Sequence, residues 1–146
     1  MNTIRLSLQE RTPAQLAALT LGAFWVLNGV AVFAYGEPAP WALGGSGEVP
    51  ALGTSISANG WHGLLHLATG LAGLAAYRSP ASARAYAASI GGLYLALALW
   101  ALAFNATTVA GVIYVDRLGS AEHLLEAILL LTAAAVSGVG TSATQP

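Results

Sequence analysis

The chain has 146 residues, of which 56% are hydrophobic and only 8% are Asp, Glu, Lys or Arg, against about 25% charged in a soluble domain. So few charges cannot cover a water-facing surface, which excludes an ordinary soluble globular protein. With no cysteine, disulfides and thiolate metal sites are excluded, and a net charge of -1 without a basic run leaves no footprint for nucleic acid.

A helix that crosses the hydrocarbon core needs roughly 20 apolar residues, and four uncharged runs of that length are present, over about 13–35, 58–77, 85–105 and 120–140. They are rich in Leu and Ala, much longer than a membrane strand and without polar alternation, so strands are disfavoured. Pro13 suits a first helical turn, and Pro38, Pro40 and the stretch from Gly44 to Gly47 end anything helical after Gly36. Ser79 and Pro80 break the chain before the third run, leaving a connection of about seven residues that makes the second and third helices antiparallel neighbours. Ser120 reads as the N-cap of the fourth helix, with Glu122 suited to its first turn. Tyr35, Trp41, Trp61, Tyr77, Tyr86 and Tyr114 fall near the expected ends, as interfacial aromatics do.

The fold class that follows is an all-α membrane protein, a single domain over 1–146 with four transmembrane helices in an up-down bundle. Arg5, Arg11, Arg78 and Arg84 flank the N-terminus and the second connection, whereas the first connection carries Glu37 and Glu48; only Arg117 dissents. By the positive-inside rule both termini are cytoplasmic. The first run is long for a signal peptide, contains Asn28 and lacks a good cleavage site close behind it, so it reads as a span.

Shifting the second run by 57 positions places Asn59 on Asp116, His66 on His123, Leu67 on Leu124 and Gly70 on Ala127. Such a parallel repeat reads as two tandem helical hairpins. At about 100° per residue, Asn59, His62, His66, Thr69, Gly70, Gly73 and Tyr77 share one arc of the second helix, opposite Leu64, Leu67, Leu71 and Leu74. In the fourth helix Glu122, His123, Glu126, Ala133 and Ser137 share an arc, and in the third Tyr94, Ala98, Ala101 and Asn105. The small and polar arcs are expected to pack together, with the leucines toward lipid. His62, His66, His123 and Glu126 fall within roughly the outer 12 Å at about 1.5 Å per residue, with Asn28 at a similar level. The inner half offers only Ser, Thr and Tyr, which argues against an ion path through one protomer.

The Asn-x6-His-x3-Gly pattern of Asn59, His66 and Gly70, with Asp116 and the His123-Leu124-Leu125 sequence of the fourth run, resembles a family of small four-span bacterial membrane proteins classified only as a domain of unknown function. Ala127 and Arg117 depart from that pattern, where glycine and asparagine are expected. The resemblance implies the four-span inner-membrane architecture and no activity.

Ionisable groups within a span are functional candidates by default. His62, His66, His123, Glu122 and Glu126 are the candidate ligands of a divalent metal, since His-x3-His puts two imidazoles on one helix face. A b-type haem held by His66 and His123 is the other cofactor reading, with Gly63, Gly70 and Ala133 leaving room for its edge. Against both stands a structural cluster in which the histidines bond to Glu122, Glu126 and neighbouring amides, with Asn28, Asn59, Asn105 and Asp116 as its further polar members. No nucleophile-base pair, phosphate loop or nucleotide motif is visible, so the sequence leans away from an enzyme. The working reading is an accessory or interaction protein in the lipid bilayer, partnered by its own copies or by another membrane protein. A metal- or haem-binding module is the alternative.

Overall fold

The computed structural model describes residues 11–35, 41, 47–51, 54–105 and 107–139. Arg5, Gly36, Glu37, Pro38, Pro40 and the stretch from Gly44 to Ser46 lie outside the described residues, as does everything after Val139.

Four helices dominate the chain: α1 (Pro13–Tyr35), α2 (Gly60–Ala76), α3 (Pro80–Phe104) and α4 (Arg117–Val139). Two antiparallel hairpins join them at one end, β1 (Gly47–Ala51) with β2 (Thr54–Ala58) between α1 and α2, and β3 (Thr108–Val109) with β4 (Ile113–Tyr114) between α3 and α4. The helical runs carry no strand, as expected, but the connections do. The β3–β4 turn has Ala110 and Gly111 at φ 53° and 70°, with Val112 donating back to the Val109 carbonyl. Two consecutive left-handed residues are what a tight hairpin between twisted strands requires.

The helix starts are set by caps. Thr12 and Gln15 cap α1 reciprocally, the Gln15 N–H donating to Thr12 Oγ1 and the Thr12 N–H to Gln15 Oε1, a capping box around Pro13. Ser79 caps α3 and Pro80 is its first residue, so the pair expected to form a long break instead starts the helix. Only residues 77–79 separate α2 from α3. Tyr86 consequently sits two turns inside α3, buried, donating its hydroxyl to the Thr69 carbonyl, and is not interfacial. Asp116, not Ser120, caps α4: its Oδ1 accepts the Gly119 N–H at 2.7 Å, and Ser120 turns its hydroxyl back to the Asp116 carbonyl. Asp is as good an N-cap as Ser, and using it lengthens α4 by four residues at its start.

The bundle is built from two close pairs, α1 along α2 and α3 along α4, with α1 also touching both α3 and α4. Glycines bring α1 and α2 together. A Cβ on Gly70 would stand 2.7 Å from the Gly22 carbonyl oxygen, and one on Gly29 would stand 2.8 Å from that of Gly63, so neither pair of backbones could approach as it does with any larger residue. The core between the pairs holds Ala14, Ala18, Trp25, Ala83, Ala87, Tyr94, Ala127 and Leu130. Tyr94, Ala98 and Ala101 are buried along one face of α3, whereas Asn105 is exposed as its left-handed C-cap.

Three of the helices, α1, α3 and α4, are long and apolar enough to cross a membrane. At 17 residues α2 is shorter, about 25 Å at 1.5 Å per residue. Large apolar side chains face outward all round, among them Leu27 at 70% exposure, Leu71 at 58% and Leu125 at 58%. That pattern suits a lipid rather than an aqueous environment.

A candidate metal centre at the hairpin end

The chemistry gathers where the two hairpins meet the helices. Asn59, the N-cap of α2, accepts the His62 N–H on its Oδ1 at 3.0 Å and the Tyr114 N–H at 3.3 Å, while its Nδ2 donates to the Val112 carbonyl at 2.7 Å. One asparagine thereby starts α2 and ties it to the second hairpin. Asp116 mirrors this, capping α4 while its Oδ2 accepts the Ser57 N–H of β2. The equivalence of Asn59 with Asp116, 57 positions apart, is thus an equivalence of caps, and it places His66 and His123 seven residues beyond their respective caps.

His62 and His66 lie one turn apart on α2 and meet His123 of α4; all three are buried. Nε2 of His62 is 3.0 Å from Nε2 of His66 and 3.1 Å from Nε2 of His123. One ligand atom from each of the three residues can be drawn within 4.8 Å of the others.

The outward-facing nitrogens determine which tautomers are present. His62 Nδ1 is 2.7 Å from the Tyr114 carbonyl oxygen, which can only accept, so this nitrogen carries the proton. His123 Nδ1 is 2.8 Å from Glu126 Oε2; the other oxygen, Oε1, accepts the Trp25 indole N–H at 2.9 Å. A carboxylate between two N–H donors places the His123 proton on Nδ1 as well. In their neutral forms, therefore, His62 and His123 aim bare Nε2 lone pairs at each other across 3.1 Å, an arrangement that needs a cation to join it. The buried Nδ1 of His66 has no hydrogen-bond partner.

Aromatic rings wall the cluster. Tyr94 stands edge-on to His123 with centroids 4.9 Å apart and stacks on Trp25 at 4.4 Å, while its hydroxyl meets Thr69 Oγ1 at 3.0 Å. A cavity with room for about one water molecule lies against His62 and His123, lined otherwise by Leu65, Leu97, Ala98 and residues of the second hairpin.

Of the residues singled out from sequence, the fold brings His62, His66 and His123 into contact and sets Glu126 one bond behind His123. Glu122 is half-buried and takes no part in the cluster's hydrogen bonds; Asn28 is half-buried on α1 and likewise outside them. Asn59 and Asp116 act as caps, and Asn105 is remote in role. Gly63 and Gly70 face α1, where a Cβ would meet Val32 and Gly22 respectively. The arc carrying Tyr94 packs against the histidines as expected, but sequence reasoning missed Trp25 as their neighbour and the Tyr114 carbonyl as the partner of His62. Trp25 carried a signal, since an indole in mid-span needs a partner for its N–H. The carbonyl carried none.

Comparison with curated proteins and with solved structures gave no match. The model of a family described as a domain of unknown function, DUF4383, matches residues 15–136, a stretch that takes in nearly all of the helical bundle and every histidine. The chain belongs to that family.

Proposed function

We propose that this protein is a membrane metal-binding module that holds one divalent transition-metal ion on His62, His66 and His123. The observation that carries the reading is the pair of opposed Nε2 lone pairs at 3.1 Å, with a third imidazole nitrogen 3.0 Å from one of them. A proton resolves one such pair at a time; a metal ion resolves both contacts at once. With metal-nitrogen bonds of about 2.0 to 2.1 Å, tetrahedral ligand atoms sit roughly 3.3 Å apart, near the spacing already present. The outer partners have the form that metal-ligating histidines ordinarily have, a carboxylate behind one ring and a backbone carbonyl behind another. An all-imidazole set favours Zn, Cu, Fe or Ni over Mg or Ca.

A haem between His66 and His123 is less well supported. A porphyrin plane would have to pass His62, whose Nε2 is 3.0 and 3.1 Å from theirs, and the Gly63 and Gly70 spaces are taken by α1. A purely structural cluster, serving an accessory or interaction protein, would leave the Nε2 lone pairs of His62 and His123 facing each other with nothing between them.

The setting proposed is a four-span bundle in a bacterial inner membrane, with both termini cytoplasmic and the metal near the outer face. The short α2 is then met at its outer end by both hairpins. Arg11 lies 5.7 Å from the Tyr77 ring, which puts the start of α1 and the end of α2, with Arg78 beside it, at the end away from the histidines. Elemental analysis of the protein purified in mild detergent and reloaded with Zn2+ tests the function. About one equivalent is expected, lost in His62→Ala and His66→Ala. Failure to retain stoichiometric metal after reloading overturns it.

A further inference from the structure

The cavity beside the histidines has a consequence for what the metal can do. It is bounded by His62 of α2 and His123 of α4, and its remaining wall is aliphatic, with Leu65, Leu97, Ala98 and Val115 among the lining residues. Three protein ligands leave a tetrahedral ion one position short, and a structural site closes that position with a fourth side chain. Among the described residues no fourth His, Cys, Asp or Glu joins the cluster. Glu126 is engaged behind His123 by two hydrogen bonds, and Glu122 lies outside.

Resting on the metal reading above, we propose that the ion keeps its fourth coordination position in this cavity and binds there one small exogenous ligand. The ligand is water or a monodentate molecule of about that girth. The aliphatic wall sets the class. No side chain among the lining residues other than the two histidines offers a hydrogen bond or a charge, so recognition comes from the metal-ligand bond and from size alone. A chelating or phosphorylated ligand has neither the space nor the cationic partners it needs. Water, or a monatomic anion of about its size, has both the space and the one bond it requires. Ala98 is the residue that keeps the space open from α3: it is buried, small, and part of the cavity wall.

The experiment uses the full chain in mild detergent loaded with Co2+, whose visible absorption reports coordination number and ligand exchange, with fluoride, an anion of about the size of water, as the probe. In the wild type, fluoride is expected to shift the cobalt bands saturably while cobalt remains at about one equivalent. Ala98→Phe is expected to retain cobalt and lose the fluoride response at least tenfold in affinity. Leu97→Trp provides a second obstruction should Ala98→Phe fail to fold. Cobalt bound at one equivalent with a spectrum that fluoride does not move overturns the open-position proposal and leaves the metal site standing. So does a fluoride response undiminished in a folded, cobalt-loaded obstruction variant. Absence of cobalt binding in the wild type overturns the metal reading itself.

Discussion

Trp25 on α1 donates its indole N–H to Glu126 on α4 across 2.9 Å, in the interior of the bundle. The same carboxylate holds His123 from its other oxygen, so a tryptophan from the first helix helps to set the orientation of a histidine on the last. Outer partners of this kind typically change metal affinity by about 10- to 100-fold when removed. Glu126→Gln, which keeps the shape and loses the charge, is expected to weaken Zn2+ binding within that range. Trp25→Phe is expected to weaken it less, because the carboxylate survives with one donor. Competition against a chromophoric chelator measures both; unaltered affinity in Glu126→Gln would remove the carboxylate from the site.

The α1–α2 pair supplies a test of the fold that is independent of the histidines. Gly70→Leu introduces a side chain whose first carbon would already stand 2.7 Å from the Gly22 carbonyl oxygen and 2.8 Å from the Val26 nitrogen. Backbone cannot yield as a flexible side chain does, so the loss should reach or exceed the about 1 to 3 kcal/mol usual for overpacking. A Cβ on Gly92 meets nothing within 4 Å, and Gly92→Leu is the matched control with little expected effect. Thermal unfolding in detergent compares them, and equal losses at the two positions would contradict the close pairing of α1 with α2.

Much of this arrangement was legible before the fold was known, for identifiable reasons. Apolar run length gave the four helices, and periodicity put His62, His66, Thr69 and Gly73 on the buried face of α2 and Tyr94, Ala98 and Ala101 on that of α3. The 57-residue shift paired Asn59 with Asp116, although their shared role as caps needs the backbone to be seen. What was not legible lay in the connections. Ser79-Pro80 reads equally as a break and as a helix start, and only the position of Tyr86 in the core decides between them. The hairpins are short and lie partly in Gly- and Pro-containing sequence, where no periodicity develops. Glu126 was visible as a candidate ligand, but its engagement by Trp25 depends on which helices adjoin, a tertiary fact.

Metal retention is expected to depend on pH with a definite sign. Each Nε2 must be unprotonated to bind, so protons compete with the ion for three imidazoles. Stabilisation by the metal is therefore present at neutral and higher pH and is lost as pH falls and protons take the ring nitrogens. Zn2+ content after equilibrium dialysis over a descending pH series provides the check. Retention that does not fall at any acid pH would exclude histidine ligation.

The proposed topology rests on the arginines and the hairpins together. An alkaline phosphatase fusion placed in the segment between Tyr35 and Gly47 should be active, because that segment leads to the hairpin end proposed to face outward. A fusion after the last residue should be inactive. Activity of the C-terminal fusion would remove the even number of spans, and with it the placement of the histidines near the outer face.

The sign of a stability change separates a binding site from a cluster kept for packing. His66 has an unpartnered buried Nδ1, and its Nε2 faces another imidazole nitrogen, so in the metal-free protein it is poorly satisfied. An unmet buried polar group costs about 1 to 3 kcal/mol, which Leu at this position does not incur. His66→Leu is expected to leave the metal-free protein equally or more stable. It should also abolish the stabilisation that Zn2+ gives the wild type, about 2.7 kcal/mol at one hundred times the dissociation constant. Glu126→Leu behaves oppositely, since it strands the N–H groups of Trp25 and His123 and should destabilise the metal-free protein. Unfolding of both variants and their combination, with and without Zn2+, makes the distinction. A marked loss in metal-free His66→Leu that the double variant recovers would identify His66 and Glu126 as partners in packing, and the metal would then have no claim on the site.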